Sequence, residues 1–381
     1  MTSVKRTRIL NTSRIMREIW INNGISRIDV ARNLGFDKST VTNIVSELLN
    51  VGVVNEISEG ESTPQGGRKP INLEINKSFA CIVGFEIQPD IYTAVAVNLN
   101  GDIIFSKSEK ASIYASNLIL TLFQLIESVK LELKKIGHPI LGIGVGISGL
   151  VDPYEGVIKY SIPLKINKDL DFINEISELV ETPVYIENDA NCCSWGELVF
   201  HKEQRLKNFI FVLVEFRNAD TVHCTYGGIA VGMGIVIDGH VYYGDNLAAG
   251  EFQSIFWASP NSGQFSLTDK EMLDVDKNKN LFTKFASELS KNLALIVNTY
   301  NIKYVFLGGD LEKNKTEIVE ILSDEIQKNS RYPFKVDCSI KVSSFGRHSV
   351  AYGAAGMILN RLFADKEVSG TSIGVDLLSI K

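Results

Sequence analysis

The 381 residues are enough for two or three domains with sizeable cores, and 45% hydrophobic with 22% charged residues is the balance of an ordinary globular protein. No apolar run approaches a bilayer span and no apolar signal-peptide core follows Met1-Thr2-Ser3-Val4-Lys5-Arg6, so the expectation is a cytoplasmic protein without a membrane partner. The net charge of −6 is unevenly spread: residues 1–70 carry ten Lys and Arg against seven Asp and Glu, a net of +3, which leaves −9 for the rest and points to a polyanion partner for the head alone.

In the head, residues 1–76, Ile15, Met16, Ile19 and Trp20 recur at helical spacing between Asn11 and Asn22, and Asn23-Gly24 stops the helix. Ser26 then caps a second helix, Arg27 to Leu34, with Asp29 placed to close a capping box. After the turn Gly35-Phe36-Asp37, a third helix runs from Lys38 to Asn50, burying Val41, Ile44, Val45, Leu48 and Leu49. Its other side offers Lys38, Ser39, Thr40, Thr42 and Asn43, short polar groups at the start of the second member of a helix-turn-helix, where base edges and phosphates are met. Val53 to Ile57 and Ile71 to Ile75 read as the strands of a wing. The loop between them ends in Gly66-Gly67-Arg68-Lys69-Pro70, whose cations suit phosphates or a narrow minor groove. A generic three-helix bundle and a solvated linker are the plain alternatives, and it is their adjacency that favours DNA. The contact candidates are Arg27, Lys38, Ser39, Thr40, Thr42, Asn43, Arg68 and Lys69.

In the body, Cys81 to Ile87, Tyr92 to Leu99 and Ile103 to Phe105 read as strands and Asn117 to Ile136 as an amphipathic helix. Leu141 to Pro153 alternates glycine with apolar residues, a close-packed strand ending in a small-residue loop whose amides near Ser148 and Gly149 are free to approach a ligand. Further strands fall at Phe209 to Val214, Val231 to Ile237, turning at Asp238-Gly239, and Tyr304 to Leu307. Helices fall at Lys279 to Tyr300, Lys315 to Lys328 and Ser349 to Leu362. This alternation predicts a two-lobed α/β body: a smaller lobe of residues 78–187 plus 349–381 and a larger one, 188–348, carrying dimerisation and much of the ligand site.

The stretch Val184-Tyr185-Ile186-Glu187-Asn188-Asp189-Ala190-Asn191 places a polar cluster at the carboxyl end of a short strand, where open α/β sheets hold ligands. Its carboxylates accept and its amides both donate and accept, which suits a polyhydroxylated ligand, and one carboxylate is chemically able to take a proton from a hydroxyl. An Asx turn capping a helix over Ala190 to Leu198 is an equally simple reading of the same residues. The five cysteines are odd in number, scattered and without a Cys-x-x-Cys pair, so neither a disulfide framework nor a zinc knuckle is indicated.

Taken together, the winged head, the Gly-Gly-Arg-Lys-Pro tip, Gly144 to Pro153, Glu187 to Asn191, Gly232 to Gly239 and Leu307-Gly308-Gly309-Asp310 resemble, over residues 10–362, the repressor, open reading frame, kinase (ROK) family, in the layout of its sugar-responsive repressors. The resemblance implies an actin-like sugar-kinase fold with the sugar held between two lobes. It implies sugar contacts from Asn188, from Asp189 at the position of the family's catalytic base, from Ser148 and Gly149 in the adjoining loop, and from Glu251. Gln253 stands where the family's histidine would reach the sugar, and Glu271 is a weaker candidate for a hydroxyl contact. Family kinases begin the body with Asp-x-Gly-x-Thr, and the matching stretch here, Glu86-Ile87-Gln88-Pro89-Asp90, lacks the glycine and hydroxyl that cradle ATP phosphates. Ala230 and Met233 replace glycines of the second phosphate loop, and no cysteine lies between Cys224 and Cys338 to build the family's zinc site.

The expectation is therefore a sugar-responsive regulator, a repressor in the family's commoner arrangement. It would bind double-stranded operator DNA and a small sugar effector, as a homodimer or homotetramer, with no ATP, no zinc and Asp189 as a vestigial base. An ATP-dependent sugar kinase carrying a DNA-binding head, and a ligand-independent DNA-binding scaffold, are the competing readings.

Overall fold

A computed structural model describes residues 3–59, 71–217 and 228–363. The head opens with α1 (Ser3–Ile21), which starts well before Asn11, and within it Thr12 and Ser13 return their hydroxyls to the carbonyls of Arg8 and Ile9. The short β1 (Ile25–Ser26) leads into α2 (Arg27–Leu34), where Ser26 accepts from the Asp29 amide and donates to its carboxylate at 2.6 Å. Gly35 and Gly52, both left-handed, end α2 and α3 (Lys38–Val51). The wing strands β2 (Val54–Glu59) and β3 (Ile71–Ile75) pair antiparallel and β1 adds to them in the order β1-β3-β2. Arg68 and Lys69 lie outside the described residues.

The body repeats one topology twice. First come β4 (Cys81–Ile87), β5 (Ile91–Asn98) and β6 (Ile103–Lys110), antiparallel neighbours, then α4 (Leu118–Ile136) and β7 (Ile140–Ile147). A small ribbon, β8 (Leu150–Asp152) and β9 (Val157–Tyr160), precedes α5 (Phe172–Ser177) and β10 (Val184–Asn188), giving the sheet order β10-β7-β4-β5-β6. The helix α6 (Asp189–Phe200) follows. The second half runs β11 (Phe209–Arg217), β12 (Gly228–Ile237), β13 (His240–Val241), α7 (Asp269–Met272), α8 (Lys279–Tyr300), β14 (Tyr304–Gly309), α9 (Lys315–Lys328), β15 (Ser339–Val342) and α10 (Ser349–Leu362). Its sheet order is β13-β12-β11-β14-β15, so α6 and α10 occupy equivalent places after the last strand of each half.

Burial explains the layers. On α4, Leu118, Leu122, Ile126, Val129 and Leu133 form one buried stripe against the first sheet, each stabilising by about 1.5–3 kcal/mol. The faces of α8 and α9 do the same for the second sheet. Between the sheets, α6 and α10 touch backbone rather than side chains: a Cβ at Gly353 would stand 1.7 Å from the Cys192 carbonyl oxygen, and one at Gly144 would stand 2.1 Å from that of Ala354. The glycine alternation of β7 serves this close approach.

The head is not tethered loosely. One apolar core runs from Ile15, Ile19 and Trp20 of the head into α6 and α10 of the body. The Trp20 indole donates to the Leu99 carbonyl at 3.0 Å, stacks on Phe363 with centroids 4.8 Å apart, and lies under the Lys202 ammonium at 4.6 Å. The head is therefore clamped where the β5–β6 turn, the end of α6 and the end of α10 meet.

Candidate functional site

The carboxyl end of β10 lies beside β7 in parallel register, Asn188 opposite Ile147, so the loop after β7 and the start of α6 share one rim. Asn188 is the N-cap of α6: its side-chain carbonyl accepts from the Asn191 amide at 3.1 Å while its amide group donates to the Gly149 carbonyl at 3.0 Å. Capping and facing a ligand are thus both available to this residue. They use different lone pairs and protons of one amide. Asp189 accepts from the Ala190 amide through one oxygen and lines the same cavity.

That cavity, about 640 Å³, opens between the two sheets and is lined by Ser148, Gly149, Asn188, Asp189 and Glu251 together with residues of β11, β12 and the 262–264 segment. Five of the seven candidates from the sequence converge there. Gln253 does not: it alternates between buried Phe252 and Ser254 and is turned to solvent. Glu271 does not either, because its carboxylate closes the capping box of α7 on Thr268 and takes an ion pair from Lys284.

Sequence reasoning missed three residues of this cavity. Gln264 reaches it while holding the backbone of Val231 and the carbonyl of Phe252. Glu215 and Arg217 project from the last turn of pleat in β11, beyond the Val214 at which the apolar run stops. The signal was there, since Leu213, Glu215 and Arg217 recur at period two.

The Glu86 to Asp90 stretch borders a smaller cavity of about 250 Å³ that shares Ser148, Glu215 and Arg217 with the first. A polar chain crosses the boundary. The Gln88 amide donates to Glu86 and to Glu215, each at 2.8 Å, and Arg217 donates to Glu215 at 2.8 Å and to the Ser148 hydroxyl at 3.2 Å. Burial, with Glu215 and then Asp189 adding repulsion, pushes the Glu86 carboxyl up to about 8. Burial and Glu215 push Asp189 up to about 7. The Glu86 to Asp90 stretch presents Pro89 and Asp90 to the smaller cavity, where an Asp-x-Gly-x-Thr turn would present a glycine amide and a hydroxyl. Among the described residues, no group of three or more His, Cys, Asp and Glu is arranged to hold a metal ion.

A stability prediction follows from the raised carboxyls. Glu86 favours its neutral form in the fold, so its contribution is full below the ordinary value of 4.5 and is lost as pH rises through about 8. Urea melts of the wild type and Glu86→Gln, which keeps the polar contact but cannot ionise, should show the variant gaining about 1–3 kcal/mol relative to wild type near pH 9 and nothing near pH 5.

On the head, Lys38, Ser39, Thr42 and Asn43 are exposed along the outer face of α3 and Thr40 is half-buried. Thr42 spends its hydroxyl on the Lys38 carbonyl. Arg27 is half-buried, and its guanidinium is paired with Glu56 of the wing at 2.7 Å, fastening α2 to β2.

The comparisons with known proteins agree with this layout. Residues 84–255 match the ROK family. The chain carries a ROK family domain. It is similar to the xylose repressor of Bacillus subtilis, 24% identical over 382 residues, which cover 92% of this chain and 95% of the relative. Its fold is that of a ROK family transcriptional regulator, a homologue of the E. coli MLC protein, at a TM-score of 0.75 and 18% identity, covering 94% of this chain and 97% of the other. The body alone shares the actin-like ROK fold of a ROK family glucokinase from Streptomyces griseus in complex with glucose and AMPPNP, at a TM-score of 0.58, 16% identity and coverage of 73% and 99%. Among the described residues, no helix is long and apolar enough to cross a membrane.

Proposed function

We propose that the chain is a sugar-responsive transcriptional repressor. It binds operator DNA through the exposed face of α3 and the wing, and a small carbohydrate, a pentose such as xylose, in the cavity between the sheets. The resemblance to a xylose repressor supports the sugar class and the DNA partner. The observation that carries the coupling is α6, which begins at Asn188 and Asp189 in the cavity wall and ends just before Lys202, whose ammonium covers Trp20 of the head. A helix of that length, about 18 Å, moves as a rigid rod, so closure of the lobes on a sugar turns the head. In a homodimer or homotetramer, two heads must match half-sites about one helical turn apart, and a small rotation breaks that match.

In this reading the chain does not act as a kinase. Neither ATP nor zinc takes part in this reading, because carboxylates replace the phosphate cradle and the zinc ligand set is incomplete in the sequence. The competing kinase reading has one observation in its favour: an Asp189 carboxyl near 7 suits a general base. The decisive experiment pairs calorimetric titration of pentoses and hexoses with a coupled assay for ATP turnover on the same sugars. Saturable binding of a pentose with turnover at background supports the repressor. Turnover that depends on Asp189 would replace it with the kinase.

A further inference from the structure

The largest cavity described, about 800 Å³, lies between head and body and not between the lobes. One wall is α1 and the end of α2; the other is the end of α6, the β12–β13 turn and the end of α10. In a chain of net charge −6, Arg14, Arg17, Lys202, Arg205, Lys207 and Arg361 line it against only Glu18 and Asp238. Some of these cations are engaged: Arg17 donates to the Phe363 carbonyl and Lys202 to Asn100. Glu18 is taken by Asn22 and Asn33. Arg205, Lys207 and Arg361 make no ion pair or side-chain hydrogen bond among the described residues.

The buried carboxylate that feels the charge of Arg361 is Glu187, and its acceptors are already filled by the Tyr243 hydroxyl at 2.6 Å, the Trp195 indole, the Asn191 amide group and the Asn188 backbone. Arg361 is thus a half-buried cation facing an aromatic wall of Tyr154 and Tyr243. Such a cation is stabilised by an anion that enters from solvent.

We propose that this cavity is a second ligand site, taking a small organic oxyanion, a phosphate or carboxylate on a compact body, held by Arg205, Lys207 and Arg361 with its body against Tyr154 and Tyr243. A duplex is far too wide for a space enclosed by head and body, and no residue of α3 lines it. The walls come from head and body alike, so an occupant seated on these body residues lies under α1 and bears on the orientation of the head. The two cavities have no lining residue in common, but α6 joins them: Asn188 and Asp189 at its start face the other cavity, and Trp195, Leu198 and, just past its end, Lys202 line this one.

The test is calorimetric titration of the full chain with inorganic phosphate, ribose 5-phosphate and citrate at low salt. At least one should bind saturably in the micromolar to low millimolar range. Arg205→Gln with Lys207→Gln, both exposed and safe for folding, and separately Arg361→Gln, should each weaken that binding about tenfold. Arg217→Gln, in the other cavity, should leave it unchanged. The proposal is overturned by no saturable binding of any probe, by unchanged affinity in the Arg205/Lys207 pair, or by loss confined to Arg217→Gln. Loss of DNA affinity in that pair without any anion binding would assign the cations to the duplex instead and overturn it equally.

Discussion

Trp20→Ala should cost about 3–5 kcal/mol of stability, the usual range for removing a buried tryptophan, and should free the head from the body. Trp20 is 2% exposed and joins three body elements at once: the Leu99 carbonyl, the Phe363 ring and the Lys202 ammonium. The alanine leaves a cavity under α1 and strips the Leu99 carbonyl of its donor. Because the proposed sugar cavity lies at the far end of α6, sugar binding should persist while the response of the head to it disappears. Calorimetric sugar affinity and the unfolding midpoint, measured on the same variant, separate the two effects. Loss of sugar binding along with the head would mean that Trp20 holds the lobes and not the coupling.

The second large effect is expected at the cavity rim. Asn188→Ala removes the N-cap of α6, about 1 kcal/mol, and the amide that faces the ligand, and sugar affinity should fall at least tenfold. Asn188→Asp retains the acceptor for the Asn191 amide while replacing the donor with a charged oxygen, so it keeps the helix cap and removes the ligand contact. Glu251→Ala should weaken the sugar similarly with little effect on stability, since Glu251 is exposed on the rim. Affinity unchanged in both Asn188→Asp and Glu251→Ala would move the sugar out of this cavity.

Local chemistry made most of the fold legible. Ser26, Gly35 and Gly52 cap the head helices as their residue types demand, and the alternation at Ile71 to Ile75 gave the wing its register. What the sequence hid depends on partners far along the chain. Arg27, read as a DNA-contact candidate, is also paired with Glu56, twenty-nine residues on, which no local pattern announces. Glu215 and Arg217 were lost because apolar runs mark where a strand is buried and not where it ends. Gln264 was lost because loop residues have no period to betray them. Gln253, by contrast, was named from its place in a motif, and the backbone alternation beside Phe252 turns it away from the cavity.

The central claim is that occupancy of the cavity between the sheets is reported to the DNA-facing surface of α3. An operator selected from a random duplex library supplies the probe, and its affinity for the full chain is then titrated with the pentose that binds most tightly. The account predicts that operator affinity falls at least tenfold across the sugar's own binding range, and that Asn188→Asp shifts this response to higher sugar concentration. Operator affinity that stays constant while calorimetry shows the cavity filling would contradict it.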